Sequence, residues 1–417
     1  MNTVIGHLDA DCFYVSCERV RFPCLRRLPV GVLGNQGVFV IAKSYELKRL
    51  GVPTGMAVKE AAALCPEAIF VKRDFRWYEE VSRRMLGCVE TVSPRVEFYS
   101  IDECFFDAGL LPRMLLKKGT GSAGACPQHF QQAAQLLQRH ILQYVGVPVS
   151  VGIAASRTLA KLVSKAVKPF GCQAVLESQD VASLLASQPV EQITGVGRRS
   201  AAKLAAYNIH TCADFIHADR GFIRKLLTKS GEDLWWELRG EAVIPIVTQR
   251  PRHRVVARGG WLGVPVTGKT RLTAWLVRHT ERLVEALNIH GYVCGRLGLQ
   301  IEVKSMGYLC DAATLMEATS SSELLIPAGK EMLARLWTPG MIVTRMHVMA
   351  DRLAIRGEQQ MSLFRPKDRQ IDRVKAMVND RCGRFTLRSA ETLPLADIYR
   401  DTANEYDICD IYGKSCF

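Results

Sequence analysis

No stretch of this 417-residue chain approaches the ~18 to 20 apolar residues of a membrane-spanning helix, so a helical membrane protein is not expected. The opening MNTVIGHLDAD has neither a basic leader nor a cleavage site and runs straight into a strand-like segment, so no secretion signal is expected. The fourteen cysteines include no C-x-x-C pair and no Cys/His cluster at zinc spacing, which leaves a structural zinc site without ligands. Without an export signal they read as reduced thiols, most of them small buried hydrophobes. No repeat of fixed period is evident. Acidic residues are in deficit, 41 Asp and Glu against 55 Lys and Arg, for a net charge of +14. That imbalance suits a polyanionic partner, most often nucleic acid; a merely basic enzyme is the alternative.

Hydrophobic residues make up 48% and mean hydropathy is near zero, the balance of a soluble globular chain. Its length predicts two to four domains. Strand-like and helix-like segments alternate up to about residue 167. VGVLG and GVFVIAKSYELKRLGV read as strand, turn, strand, helix; AVKEAAALC reads as a short helix stopped by Pro66; WYEEVSRRMLGCVETV has the spacing of an amphipathic helix. RVEFYSIDECFFDA reads as one long alternating strand interrupted by a charged pair. KKGTGSAGACPQ, at 117–128, reads as an exposed loop. From about 171 to 240 the text is helical, IPIVTQRPRHR looks like a linker running into a strand, and 255–350 alternates strands and helices. Beyond about 353 the chain is polar and reads as a partly ordered tail.

Five local patterns carry chemistry. In VIGHLD and VEFYSIDECFF, Asp9, Asp102 and Glu103 sit at the end or in the middle of apolar strands, where an unpaired charge costs several kcal/mol. A cation is the usual compensation, and hard oxygen ligands select Mg²⁺. Three carboxylates on two strands can hold two ions about 3.5–4 Å apart, the arrangement for in-line phosphoryl displacement; capping a turn or pairing with Arg or Lys is the alternative. In SRTLAKLVSKAVKP, Ser156 is a cap and Lys161, Lys165 and Lys168 share one face. Lys161 and Lys165 read as solvated, whereas Lys168, before Pro169, can point into a site as a phosphate ligand. ITGVGRRSAAKL reads as a hairpin between helices in which Gly195 and Gly197 open backbone N–H groups to phosphate beside Arg198 and Arg199; an ordinary helical turn is the alternative. Arg250, Arg252 and Arg254 alternate, so in a strand they would project from one face toward a phosphate backbone, or protect an edge. QQMSLFRP, with Gln360, Leu363 and Phe364, has the form of a short peptide for an apolar groove.

HLDADCFYVSCE, IAKSYELKRLGVPTGM, DFRWYEEVSRRM, VEFYSIDECFFD, VGIAASRTLAKLVSKAVKP and ITGVGRRSAAKL, in this order, resemble a Y-family translesion DNA polymerase over nearly the whole chain. The later blocks are most similar to the UmuC type, the catalytic subunit of polymerase V, while the tyrosine of AKSYELKRLGV is similar to the DinB type, polymerase IV.

The resemblance implies an α/β multidomain right hand: palm (1–25 and 71–170), small fingers (26–70), helical thumb (171–243), an α+β little finger (244–352) and a C-terminal tail (353–417). It implies template-directed, error-prone synthesis past damaged bases with two Mg²⁺ ions, for which Mn²⁺ substitutes. By position, Asp9 and Asp102 would bridge the metals, Glu103 would complete the site, and the Ala10 carbonyl would join the nucleotide-side ion. Cys12, Phe13, Tyr14, Tyr45, Lys48 and Lys168 would surround the nucleotide, with Tyr14 as the steric gate against a ribose 2′-hydroxyl and Phe13 as its support. Asp11 looks secondary.

Implied partners are primer-template DNA, dNTP, a sliding clamp bound by Gln360, Leu363 and Phe364, and an UmuD-like subunit, which the atypical ending EYDICDIYGKSCF leaves open. The expected location is the bacterial cytoplasm, at the nucleoid. Two other readings stand beside this one: a palm-type nucleotide cyclase, which explains neither the hairpin nor the arginine row, and a catalytically inactive polymerase-like scaffold on DNA.

Overall fold

The chain enters on β1 (Ile5–Ala10), in which all six residues are buried because the strand is central in its sheet. The computed structural model describes residues 3–34, 37–116, 126–249, 252–358 and 371–399, and the chain divides into two units, Met1–Arg250 and Pro251–Phe417. After β1, Cys12 takes a left-handed conformation (φ 47°) and caps α1 (Phe13–Arg21). A small sheet follows: β2 (Val30–Leu33), β3 (Val40–Lys43), α2 (Tyr45–Arg49), α3 (Val58–Leu64) and β4 (Ile69–Lys72), in the order β3-β2-β4. It closes over its own core of Val40, Leu47, Val52 and Ala61.

The chain then returns through α4 (Phe75–Glu90), whose N-cap Asp74 accepts from the Trp77 amide. Next come β5 (Val96–Phe98), β6 (Glu103–Asp107), α5 (Leu111–Leu116), α6 (Pro127–Val145), β7 (Val149–Ala154), α7 (Arg157–Ala166) and β8 (Cys172–Val175). The five-stranded sheet runs β5-β6-β1-β7-β8, with β6 and β7 both antiparallel to β1. The segment expected as one long strand is a hairpin: Phe98 pairs with Cys104, and the amides of Tyr99 and Ser100 both donate to the Glu103 carbonyl at 3.1 and 3.0 Å. The polar Ser100 and Asp102, which bond each other, make the turn cheaper than continued strand.

The helices α8 (Ser178–Ser187), α9 (Arg198–Ala205), α10 (Cys212–His217) and α11 (Arg220–Leu238) complete the first unit. Their core (Leu185, Leu204, Phe215, Ile223, Leu238) is continuous with the inner face of α7.

The second unit is an antiparallel sheet of β9 (Val255–Val266), β10 (Tyr292–Val303), β11 (Gly307–Thr319) and β12 (Val343–Ile355), in the order β11-β10-β12-β9. It is packed by α12 (Lys269–Ile289) and α13 (Ser322–Leu336). Residues 371–399 differ from the tail expected of them. They form α14 (Ile371–Cys382), a 3₁₀ turn at Ala390–Leu395 and α15 (Ala396–Tyr399). Asp372 accepts from the Ser322 amide at 2.8 Å, Arg384 pairs with Glu285, and the Arg278 guanidinium lies 4.6 Å from the Tyr399 ring centre. Leu395 is fully buried in the core of the unit. A polar composition hid this packing because the segment is held mostly by charge and by Arg–aromatic contacts. Among the described residues, no helix is long and apolar enough to cross a membrane.

Candidate active site

Asp9, the fifth residue of β1, is paired across strands with Glu103 on β6 and with Ser150 on β7. Directly opposed residues of an antiparallel pair share a face, so the Asp9 and Glu103 carboxylates rise on the same side of the sheet. Asp102 ends the hairpin turn just before β6, and its carbonyl accepts the Ala10 amide at 2.9 Å. One backbone bond and one register pair thus bring Asp9 to Asp102 and Glu103, more than ninety positions away in the chain.

Each carboxylate has a partner of its own. Asp9 Oδ1 is ion-paired with Lys168 Nζ. Asp102 Oδ1 accepts from Ser100 Oγ at 2.5 Å. Glu103 Oε2 accepts from Lys161 Nζ at 2.5 Å, with His7 Nε2 3.7 Å away. Burial drives the Asp9 pKa up, Glu103 and Asp102 add repulsion, and Lys168 only partly offsets them, leaving it at about 7. Asp102 is raised mainly by burial. Burial would also raise Glu103, but His7 and Lys161 outweigh it and hold Glu103 at about 2. Burial opposes the charge on Lys168, yet Asp9 and Asp11 overcome it and raise its pKa.

Asp11, set aside in the sequence, is the junction of the site. Its carboxylate accepts from Ser150 Oγ at 3.1 Å, Tyr45 OH at 3.3 Å and the Phe170 amide at 2.6 Å, and Lys168 Nζ lies 4.0 Å away. These contacts bring Tyr45 of α2 and Lys168, just beyond α7, to the end of β1. Lys48 is exposed, with its ammonium 5.9 Å from the Tyr45 ring centre. Cys12 is half-buried, and burial pushes its thiol up to about 11, so it stays protonated. Phe13 is buried. Tyr14 is half-buried and stacks on Tyr78 (4.7 Å between ring centres, 15° between planes), whose hydroxyl donates to Glu18 at 2.8 Å.

The remaining sequence candidates belong to other elements. Gly195 takes φ +104°, a conformation only glycine adopts at low cost, in the turn before α9. Gly197 caps α9 and Arg198 is its exposed first residue. Lys165 Nζ ties this turn to α7 through the Gln192 carbonyl (3.2 Å) and Thr194 Oγ1 (3.3 Å). Arg252 and Arg254 are exposed but precede β9, which starts at Val255, so they do not form a row on a strand. Arg252 is instead paired with Glu358 at 3.1 Å. Arg250, Gln360, Leu363, Phe364 and residues 117–125 of the loop expected at 117–128 lie outside the described residues, while its last two residues, Pro127 and Gln128, belong to α6 rather than to a loop. Lys161, read from its spacing as solvated, is only 6% exposed. The signal that points to it is Glu103 itself, an acid in an apolar strand that requires a cation nearby.

The fold is that of a right-hand polymerase. It matches a solved "Y-family DNA polymerase chimera Dbh-Dpo4(243-245)-Dbh" with a TM-score of 0.70 at 20% identity, covering 85% of this chain and all of that one. The chain belongs to the impB/mucB/samB family of Y-family proteins, whose sequence model matches residues 8–165 and whose C-terminal-domain model matches 256–363. It is 30% identical to Protein UmuC of Salmonella typhimurium over 370 residues, 85% of this chain and 84% of that one. It is 29% identical to DNA polymerase IV of Pelotomaculum thermopropionicum over 412 residues, 95% of this chain and 97% of that one. Protein SamB of Salmonella typhimurium is 29% identical over 87% of this chain and 86% of its own.

This family implies dependence on a divalent metal, and the residues at the site fit one. Asp9 and Asp102 are oxygen donors whose charged forms are disfavoured by burial and mutual repulsion, a situation that a hard cation relieves. Among the described residues, no three His, Cys, Asp or Glu side chains are grouped so as to hold a metal ion by themselves.

Proposed function

We infer that this protein is a DNA-directed DNA polymerase of the Y family, which extends primers past damaged bases in DNA repair and SOS mutagenesis. Family membership and the right-hand fold support the activity. The single observation that carries the chemistry is the placement of Asp9, Asp102 and Glu103 at one end of the β1–β6 pair, through one register pair and one backbone bond. The five-stranded sheet with its helices is assigned as palm, the β3-β2-β4 sheet as fingers, α8 to α11 as thumb and the second unit as little finger.

Two divalent ions, Mg²⁺ with Mn²⁺ as substitute, would be held by Asp9, Asp102, Glu103 and the Ala10 carbonyl, and supply Lewis-acid polarisation of the reacting phosphate and primer hydroxyl. Lys168, Tyr45 and Lys48 bind the triphosphate oxygens. Lys168 is already drawn to this place by Asp9 and Asp11, so it needs only a short reach to a phosphate. Tyr14 is the wall under the sugar, with Phe13 and Cys12 lining the same stretch. The Tyr78 ring behind Tyr14 keeps it from yielding to a 2′-hydroxyl.

Gly195, Gly197 and Arg198 bind the DNA backbone from the thumb, and Arg250, Arg252 and Arg254 add positive charge along the segment before β9. Gln360, Leu363 and Phe364 form a sliding-clamp peptide that would raise processivity by tethering. An UmuD-like subunit remains a further candidate partner. The protein works in the bacterial cytoplasm at the nucleoid.

The test is primer extension on a template carrying an abasic site. Mg²⁺-dependent products longer than the lesion position are expected. Tight DNA binding without any extension would instead establish an inactive scaffold.

A further inference from the structure

Lys161 has no role in the chemistry proposed above, yet it is the one buried lysine among the described residues, at 6% exposure. It projects from the middle of α7 onto β6, where Nζ donates to Glu103 Oε2 at 2.5 Å. The same ammonium lies 4.2 Å from the centre of the Tyr99 ring, in the β5–β6 turn that also carries Asp102. Arg157, one turn earlier on α7, holds the other side of this corner. Its guanidinium lies 4.3 Å from the Phe105 ring centre and 5.2 Å from that of Tyr99, and it donates to Glu97 Oε1 at 2.5 Å.

His7, beneath Glu103, stands farther from that carboxylate. Its Nε2 lies 3.7 Å from Glu103 Oε2, beyond hydrogen-bond length, while its Nδ1 is hydrogen-bonded with Ser164 Oγ at 2.7 Å. The grip on Oε2 therefore comes from Lys161, and Oε1 is left for the face that Glu103 shares with Asp9.

We propose that Lys161 is a positioning residue for Glu103, fixing its rotamer by binding one carboxylate oxygen so that the other is presented to the divalent-metal site. The inference rests on the polymerase reading of that site. Groups that orient metal-binding side chains in this way typically contribute about 10- to 100-fold to metal affinity or rate.

The experiment compares wild type, Lys161→Met, Lys161→Gln, Glu103→Gln and the double variant Lys161→Met/Glu103→Gln. Single-turnover incorporation is measured together with Mn²⁺ binding, by electron paramagnetic resonance, to the protein–DNA complex with a non-hydrolysable dNTP. Lys161→Met is expected to fold, to lower kcat by about 10- to 100-fold with KM for dNTP within about threefold, and to weaken Mn²⁺ binding by a similar factor. Lys161→Gln, which keeps an N–H donor without the charge, is expected to fall between. In the Glu103→Gln background Lys161→Met should add nothing further, because its effect runs through Glu103.

Unchanged kcat and Mn²⁺ affinity in Lys161→Met would overturn the proposal, as would an equal loss with and without Glu103. Failure of both Lys161 variants to fold would also overturn it, since it makes the residue a structural one. Full activity of Glu103→Gln, or no Mg²⁺-dependent synthesis by wild type, would instead remove the reading of the site on which the proposal rests, and the proposal with it.

Discussion

At the scale of single residues, buried charge explains most of the site. Asp9, Asp102, Glu103, Lys161 and Lys168 would each be costly alone, and they occur together because they offset one another. His7 is the exception, a buried base kept neutral. Burial lowers its pKa to about 4, against the favourable pull of Glu103 on β6 and with the repulsion of Lys161 on α7 and of Lys168 beyond it. Its ordinary value is about 6.5, so unfolding takes up a proton below that pH. The stability that neutral His7 provides is present above pH 6.5 and is lost as pH falls toward 4, at most about 3 kcal/mol. An NMR titration of the His7 ring should show a midpoint near 4; a midpoint of 6 to 7 would contradict a ring kept neutral by burial. Tyr14 makes a separate prediction. Replacing it with Ala removes the wall but leaves the Tyr78 ring in place, so discrimination against ribonucleotides should fall by about tenfold or more, ~1.4 kcal/mol. Steady-state incorporation of rCTP against dCTP checks this, and an unchanged ratio would refute the gate.

At the scale of elements, the contact between β7 and α7 sets the depth of both lysines. Gly152 of β7 lies so close to α7 that a Cβ there would stand 2.3 Å from the Ala160 carbonyl oxygen and 2.5 Å from the Ser164 nitrogen. Gly152→Ala must push the helix outward, taking Lys161 and the segment bearing Lys168 with it. A destabilisation of about 1–3 kcal/mol is expected, read as a lower Tm, with a reduced rate per folded molecule. A variant with wild-type Tm and rate would show that the packing is looser than the structure has it.

The legibility of the sequence divides at the same scale. Hydrophobic spacing alone marks α4, α7, β1 and β7, because each has one pattern and one burial. It fails at 96–107, where a turn of Ser and Asp inside an apolar run makes two strands out of the expected one. It misleads again at 371–399, where the apolar spacing of Ile371, Val374 and Met377 stays exposed and the segment is tied to α12 through Lys375–Glu281, Arg384–Glu285 and the Arg278–Phe385 contact. The carboxylates could be found from sequence because acids in apolar strands stand out. Lys161 could not, because a lysine at helical spacing looks solvated until the sheet it faces is known.

At the scale of the whole molecule, a net charge of +14 suits a polyanionic partner such as the DNA of the proposed reaction. The proposed function assigns the chemistry to the acidic corner and the grip on DNA to other residues, so the two are tested separately. The most direct measurement is Mg²⁺-dependent incorporation of a single dNTP by wild type and by Asp102→Ala, with affinity for primer-template measured in parallel. Asp102→Ala should bind DNA within about threefold of wild type, yet lose roughly 1,000-fold or more in rate, since removal of a charge-stabilising group at a reacting phosphate costs several kcal/mol. Incorporation by Asp102→Ala at the wild-type rate, or none by wild type in Mg²⁺, would contradict the assignment of these carboxylates as the catalytic centre.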